Sequence, residues 1–229
     1  MNKKIILYSM VSILALMFTL LISVINNDKV GKTDAIKFKE EYETLNNKTN
    51  DNGKKYVNIS VDEENPFVYA SYEEVIDIIG NGTGVIYFGF PECPWCRNAV
   101  PVLIDAAQEL GVDKIYYYNA LSIRDTKSLD ETGNIVTDKK GTDEYYKLVD
   151  LLSDVLTPYE GLNDESIKRL YFPTVVYVKD GKVLASTIGT VDSQENPYVK
   201  LTTEQSNELK NIYIDNMNKV FDILCDEAC

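Results

Sequence analysis

The sequence predicts an α/β fold built on a mixed sheet. In the first half of the chain, apolar runs typical of strands alternate with segments that carry apolar residues at helical spacing. Further on, two apolar runs flank an Asp–Gly pair, which is a strong hairpin signal, and a long amphipathic helix follows. The alternating order indicates parallel β–α–β units, and the hairpin adds an antiparallel pair of strands.

Local signals place the individual elements. Ser71 is a suitable helix N-cap, Asp180–Gly181 marks the hairpin turn, and Thr202 with Gln205 can form a capping box. Pro101 lies within a helical pattern and predicts a kink there. The predicted elements are strands over 56–61, 85–90 and 114–121, helices over 72–80 and 94–110, a helix from about residue 143, two strands within 172–189, and a final helix after residue 202.

Residues 1–25 have the composition of a single N-terminal transmembrane helix. The run Ile5–Ile25 holds 21 residues without a charge, which is long enough to cross a bilayer core. Lys3 and Lys4 precede this run, so the positive-inside rule predicts a cytoplasmic N-terminus and an extracytoplasmic remainder. A cleaved signal peptide is the alternative, although such peptides have a shorter apolar run and a small-residue cleavage site.

The rest of the chain divides by composition into a linker and one domain. Residues 26–55 are rich in Asn, Lys, Asp and Thr and offer little to bury, so we expect a polar linker there, flexible or partly helical around Ala35–Leu45. The domain is expected over 56–229, a length that suits one domain. Residues 122–170 form an insertion that begins with loop residues and becomes helical.

Composition excludes several classes of function. The formal net charge is −13, which argues against nucleic acid as a partner, because phosphate binding needs a basic surface. The chain has no histidine, so Ser-His-Asp catalysis, Cys-His catalysis and His-ligated metals are excluded. Acid–base chemistry must then use Asp, Glu, Tyr, Lys or a thiol.

The segment FPECPWCRNAVP, residues 90–101, carries the strongest chemical signal. Cys93 follows a buried strand and opens a helix, where unpaired N–H groups and the helix dipole lower the pKa of a thiol. Thiolate is the form that attacks disulfides, so Cys93 is the candidate nucleophile and Cys96, one turn later, the candidate resolving thiol. Pro94 suits the first helical turn, and Trp95 flanks the site with an apolar surface.

Two segments, VIYFGFPECPWCRNAVPVLIDAA and YFPTVVYVKDGKVLASTIG, resemble the active-site and cis-proline segments of the thioredoxin superfamily. The resemblance implies a thioredoxin-like three-layer fold with flanking helices and the helical insertion placed before the cis-proline strand. It implies that Pro101 is the helix proline of the family and that Pro173 is the cis-proline. It also implies that Phe172 and Pro173 contact the partner peptide and keep metal off the thiols, with Trp95 and Pro94 as further substrate-binding residues. Within the superfamily the chain looks most similar to membrane-anchored proteins of Gram-positive bacteria that are labelled bacteriocin transport accessory proteins.

The chain departs from the family pattern beside the cysteines. Tyr87 stands where thioredoxin has a buried acid that assists proton transfer, so either this transfer is slower or another acid serves. Glu92, next to Cys93, is a candidate, although its charge opposes a thiolate. No histidine lies between the cysteines to stabilise a thiolate, and the direction of electron flow stays open.

Cys225 and Cys229 lie four residues apart at the end of the final helix. This spacing permits a strained local disulfide. A second redox pair that exchanges electrons with Cys93–Cys96, and free or intermolecular thiols, are the alternatives. The spacing also permits a zinc site that pools all four thiols, but such a site would occupy the thiolate at the helix N-terminus, and we expect no metal.

These observations predict a membrane-anchored thiol–disulfide oxidoreductase that acts outside the cytoplasmic membrane on exported cysteine-containing proteins or peptides. A partner in the membrane would exchange electrons with it. No dissociable cofactor is expected, because the Cys93–Cys96 pair itself carries the two electrons. The alternative is a non-catalytic thioredoxin-fold adaptor or chaperone in a secretion or bacteriocin-export complex. Whether the protein oxidises, reduces or isomerises disulfides is left open.

Overall fold

The computed structural model describes residues 32–221, and the described residues from Asp34 onward belong to one compact unit. The predicted membrane segment and the pair Cys225–Cys229 lie outside these residues. Within the described part, no helix is long and apolar enough to cross a bilayer. In chain order the elements are α1 (Asp34–Glu43), β1 (Phe67–Tyr69), α2 (Tyr72–Asn81), β2 (Gly84–Phe88), α3 (Pro94–Leu110), β3 (Ile115–Tyr118), β4 (Thr126–Leu129), β5 (Ile135–Lys139), α4 (Asp143–Leu151), β6 (Thr174–Lys179), β7 (Lys182–Ile188) and α5 (Thr203–Phe221).

The central sheet is mixed, as the sequence predicts. Its strand order is β1-β3-β2-β6-β7. The first three of these strands run parallel, and β6 runs antiparallel to both of its neighbours. All five residues of the central strand β2 are buried, which explains its continuous apolar sequence. Helices flank the sheet, with α3 packed against α5 and α2 packed against α4.

The predicted caps and the predicted hairpin turn are all present. The Ser71 hydroxyl accepts from the Glu74 N–H, and the Glu74 carboxylate accepts from the Ser71 N–H, which completes a capping box. Thr202 and Gln205 make the same reciprocal pair before α5. At the hairpin, Asp180 and Gly181 both have positive φ, 49° and 70°, as a type I′ turn requires.

The helix expected around Ala35–Leu45 is present, but the expectation that this part of the chain is a linker with little to bury is wrong. Residues 34–43 form helix α1, and Phe38 and Tyr42 on that helix are fully buried. The Phe38 ring stacks on the Phe67 ring with centroids 3.9 Å apart. Most residues of this segment are polar, so the two aromatic side chains at i, i+4 spacing gave only a weak signal. Two such side chains on one face are sufficient to pack a short helix against the sheet.

The strand predicted over 56–61 is also wrong, although the burial pattern behind it is real. Val57, Ile59 and Val61 alternate into the core, but this segment is not part of a strand. Side chains satisfy its backbone instead: the Asn46 amide bonds both the N–H and the carbonyl of Ile59, and the Glu43 carboxylate accepts from the Val61 N–H. Alternating burial therefore needs extended backbone, not a sheet neighbour.

The insertion contains a hairpin that the sequence analysis missed. Strands β4 and β5 pair with each other and form a sheet of their own. The Asp130 carboxylate closes the turn by accepting from the N–H groups of Thr132 and Asn134. Every residue of β5 is exposed, so no apolar alternation marks it in the sequence. The helix predicted from about residue 143 is present as α4, with Thr142 as its N-cap.

Candidate active site

Cys93 is the N-cap of helix α3, directly after the central strand of the sheet. Its backbone is extended, with φ −71° and ψ 118°, and its sulfur accepts from the Cys96 N–H at 3.2 Å. Pro94 occupies the first helical turn, as expected. The thiol form of Cys93 donates to the carbonyl oxygen of Phe172 at 3.4 Å. The sulfur thus lies between unpaired helix N–H groups and the start of the β6 segment.

The two thiols differ in accessibility and acidity. Both are free, with Cys93 5% exposed and Cys96 fully buried. Burial of the Cys93 sulfur opposes its ionisation, but hydrogen bonds from the Cys96 thiol and from the N–H groups of Cys96 and Trp95, together with the charge of Arg124, lower its pKa overall. Burial and the neighbouring Cys93 sulfur raise the pKa of Cys96 well above its usual range. The geometry therefore makes Cys93 the thiol that ionises first.

The difference in pKa predicts how alkylation depends on pH. Only a thiolate reacts with iodoacetamide, so a lowered pKa moves the half-labelling point of Cys93 to a lower pH. In a reduced Cys225→Ser/Cys229→Ser chain, we expect this point to lie below the pH of about 8.5 found for an ordinary thiol. Adding Cys93→Ser should leave Cys96 unlabelled at neutral pH. Half-labelling of Cys93 above about pH 8.5 would contradict the geometry.

The peptide bond between Phe172 and Pro173 is cis, as the resemblance implies. Phe172, whose carbonyl contacts the Cys93 sulfur, and Trp95 both line an open groove of about 600 Å³. Pro173, predicted to contact the partner peptide, is buried and is not among the residues that line this groove. The Phe172 ring meets the Phe90 ring edge to face, with centroids 5.4 Å apart. The remaining lining residues come from the end of the insertion and from the chain after β7: Thr157, Glu160, Tyr171, Ile188, Gly189, Thr190, Val191, Asp192 and Gln194.

Tyr87 lies on β2 and is fully buried behind the cysteines. Its hydroxyl is 2.9 Å from the Tyr42 hydroxyl and interacts with the Cys96 thiol, lowering the pKa of that thiol against the larger effect of burial. A Cβ added at Gly89 would lie 2.3 Å from the Tyr87 hydroxyl oxygen, so glycine leaves room for the ring. Burial raises the pKa of both tyrosines well above their usual range, and both phenols stay neutral.

Tyr42 is a site residue that the sequence analysis missed. It lies on α1, within the segment interpreted as a linker. The signal that could have found it is its spacing from Phe38, four residues earlier in an otherwise polar helix. Glu92, the candidate acid named from the sequence, is exposed, and the hydrogen bonds of the Cys93 sulfur involve Phe172 and Cys96 instead. The polar group behind Cys96 is therefore a pair of phenols.

Arg97, the residue after the second cysteine, is fully buried. Its guanidinium donates to the carbonyl oxygens of Val57 at 2.8 Å and Tyr42 at 2.7 Å, and to the side-chain oxygen of Asn46 at 2.8 Å. Burial lowers its pKa. The sequence carried no signal for this role, since these three acceptors lie 40 to 55 residues away. Arg97 attaches the chain before β1 to the active-site helix.

The other predicted site features have separate outcomes. Pro101 lies inside α3, as predicted, and the kink there stays a prediction. Cys225 and Cys229 lie outside the described residues, so their pairing also stays a prediction. Among residues 32–221, no group of three or more cysteine, aspartate or glutamate side chains could hold a metal ion.

Comparison with known proteins leaves the function to be argued from the chain itself. No known protein family model and no curated protein matches this sequence. One solved structure that it resembles is thioredoxin O2 from Arabidopsis thaliana in its oxidised state. The likeness spans 56% of this chain and 85% of that one, at 16% sequence identity and a TM-score of 0.33.

Proposed function

We propose that the protein is a thioredoxin-like thiol–disulfide oxidoreductase that uses the Cys93–Cys96 pair. The observation that carries this proposal is the asymmetry of the two thiols at one helix N-terminus. Cys93 has a lowered pKa and contacts Phe172, which lines the groove, whereas Cys96 is fully buried with a raised pKa. A purely structural pair of cysteines has no need of this difference.

The reaction proceeds through a mixed disulfide. The Cys93 thiolate attacks one sulfur of a partner disulfide, and the other partner sulfur leaves as a thiolate. Cys96 then transfers its proton to the partner thiolate released in this first step. The resulting Cys96 thiolate attacks the Cys93 sulfur of the mixed disulfide. The second partner sulfur leaves and takes a proton from solvent, so the partner is reduced and Cys93–Cys96 becomes a disulfide. The reverse sequence oxidises a partner dithiol, and a second redox partner restores the starting state.

Tyr87 assists the resolving step in this proposal. Cys96 must become a thiolate in a fully buried place, which burial strongly opposes. The Tyr87 hydroxyl can donate a hydrogen bond to the developing charge while it accepts one from Tyr42. Because both phenols are neutral, they stabilise the thiolate and orient its proton transfer but do not act as the final proton acceptor.

Location and partners form the finer part of the proposal. The uncharged run Ile5–Ile25 after Lys3 and Lys4 supports a single-pass anchor with the domain outside the cytoplasmic membrane. An extracytoplasmic location supports exported cysteine-containing proteins or peptides, bacteriocins among them, as substrates, and a membrane protein as the electron partner. No dissociable cofactor enters the proposed reaction.

Redox titration of the pair tests the proposed function. In a full-length Cys225→Ser/Cys229→Ser chain equilibrated in glutathione or dithiothreitol buffers, we expect a single two-electron transition. A potential near about −270 mV indicates a reductant, and one near about −120 mV indicates an oxidant. If the thiol state of Cys93 and Cys96 does not change in any of these buffers, the pair is static and the adaptor hypothesis replaces the enzyme.

Trapping identifies which thiol meets the partner. Replacement of the resolving thiol, Cys96→Ser, should accumulate mixed disulfides at Cys93 with disulfide-containing peptides, because the second step is blocked. The matched Cys93→Ser variant should accumulate none, since Cys96 is enclosed and protonated. Adducts found on Cys96 rather than Cys93 would reverse the assignment of the two roles.

A further inference from the structure

The insertion places a positive charge beside the reactive sulfur. The guanidinium of Arg124, which precedes β4, lies 4.7 Å from the centroid of the Phe172 ring. The carbonyl oxygen of the same Phe172 is 3.4 Å from the Cys93 sulfur. One residue therefore contacts the reactive thiol through its backbone and the arginine through its ring.

A second arginine of the insertion is held firmly nearby. The Arg169 guanidinium lies 4.2 Å from the Tyr159 ring centroid and 5.2 Å from that of Tyr171, the residue before Phe172. Both tyrosine hydroxyls accept from backbone N–H groups, Tyr159 from residue 127 at 2.8 Å and Tyr171 from residue 160 at 2.7 Å. These bonds fix the two rings and with them the position of the cation.

Neither arginine has an anionic partner within residues 32–221. No ion pair of the described chain includes Arg124 or Arg169, and the buried Nε of Arg169 has no hydrogen-bond acceptor. Asp125, the residue after Arg124, pairs with Lys127 at 3.3 Å. Burial first, and then the charge of Arg169, lowers the pKa of Arg124, and the Cys93 thiolate opposes this effect. The two cations are therefore half-buried and close enough to repel each other, and no described ion pair neutralises either of them.

We propose that Arg124 and Arg169 bind a carboxylate that the redox partner carries close to its reactive cysteine, an inference that rests on the proposed oxidoreductase function. Guanidinium groups match carboxylates with paired N–H donors, and neither arginine side chain is fully buried. A bound carboxylate would compensate both charges while the partner sulfur lies at Cys93.

The surroundings favour this position for an anion. The chain as a whole carries a formal charge of −13, and the adjoining groove has Glu160 and Asp192 in its lining. A carboxylate placed next to Glu160 or Asp192 would therefore be repelled. Either an Asp or Glu side chain or the C-terminal carboxylate of a short partner supplies the required chemistry.

Peptide reduction by the full-length chain, monitored with dithiothreitol as reductant, tests this recognition. All peptides share one disulfide, and they form two matched pairs. The first pair has either Glu or Gln beside the disulfide. The second pair has Gln there, followed by either a free or an amidated C-terminus. We expect kcat/KM for a carboxylate peptide to exceed that of its neutral match by about tenfold, and the preference to fall in high salt. A preference for the Glu peptide indicates that the site binds a side-chain carboxylate, and a preference for the free C-terminus indicates that it binds a terminal carboxylate.

Variants separate recognition from tuning of the thiolate. Arg124→Gln should abolish the preference, whereas Arg124→Lys should keep part of it. Lys147→Gln, an equal charge loss at an exposed position on α4, should leave it unchanged. If Arg124→Gln lowers kcat/KM equally for charged and neutral peptides, Arg124 acts on Cys93 alone and the inference is overturned. An unaltered preference in both Arg124→Gln and Arg169→Gln overturns it as well.

A binding measurement keeps this inference distinct from the redox proposal. Trp95, the single tryptophan of the chain, lines the groove and reports binding by its fluorescence. The Cys93→Ser/Cys96→Ser chain cannot exchange disulfides, yet it should still bind the Glu peptide about tenfold more tightly than the Gln peptide. Equal binding of both peptides rejects the carboxylate site even if the enzyme is active. Selective binding supports the site even if no peptide is reduced.

Discussion

Replacement of Arg97 by methionine is expected to lower the free energy of unfolding by about 3 kcal/mol or more, because three buried carbonyl oxygens lose this donor and each unsatisfied group costs about 1–3 kcal/mol. Those acceptors are the carbonyls of Val57, Tyr42 and, at 3.3 Å, Pro91. The half-buried side-chain oxygen of Asn46 keeps a second donor, the Ile59 N–H. Methionine keeps much of the buried volume, so the loss comes from hydrogen bonding rather than from a cavity. Urea unfolding measures the change.

Two further variants specify what Arg97 contributes. Arg97→Lys keeps the charge but cannot reach three separated acceptors, so it should be nearly as unstable as Arg97→Met. Gln108→Met, which changes an exposed polar residue on the same helix, should stay within about 0.5 kcal/mol of the parent. A small effect of Arg97→Met, similar to that of Gln108→Met, would show that the chain before β1 does not depend on this residue.

Removal of the Tyr87 hydroxyl in Tyr87→Phe is expected to slow peptide reduction by roughly tenfold or more, because a hydrogen bond to a charged group contributes about 1.5–3 kcal/mol. The Cys96 thiolate would then form in a fully buried place without its phenol donor. Stopped-flow mixing of a preformed Cys93 mixed disulfide isolates the resolving step, which should carry the whole effect. The first step, attack by Cys93, should proceed at the parent rate.

Tyr177→Phe is a matched control for this experiment. Tyr177 is also fully buried, and its hydroxyl bonds Thr187 at 3.2 Å rather than a cysteine. Its loss should cost a similar free energy of unfolding and leave the resolving rate unchanged. Tyr42→Phe should slow resolution less than Tyr87→Phe, and the double variant should fall short of the sum of the two effects, since the hydroxyls form one network. Full additivity would show that the phenols act separately.

Those parts of the fold could be predicted in which the conformation favoured by neighbouring residues in the chain is also the one found in the folded protein. Strand β2 is apolar throughout because both of its faces are covered. The Asp180–Gly181 turn needs two positive φ angles, which this pair tolerates better than most residues. The exposed strand β5 could not be found, since only its partner β4 and the Asp130 turn define it.

The candidate site follows the same rule: its local features could be predicted, and those that depend on distant residues could not. Cys93, Pro94 and Cys96 are specified locally, because a helix N-terminus forms from consecutive residues. Phe172 lies 79 residues from Cys93 and was named only through a family resemblance. Nothing in the segment containing Arg124 distinguishes it from an exposed basic loop until the fold places it over the Phe172 ring.

The sequence alone determined the order of most strands and helices, the position of the cysteine pair at a helix N-terminus and the absence of histidine chemistry. These properties depend on residues that are neighbours in the chain. Tertiary structure alone decided that residues 34–43 belong to the domain, that Tyr42 meets Tyr87 and that Arg97 is buried. Each of these depends on hydrogen bonds or ring contacts between residues at least 25 positions apart. Such pairings follow from how the sheet and its helices pack, and no periodicity in the sequence encodes them.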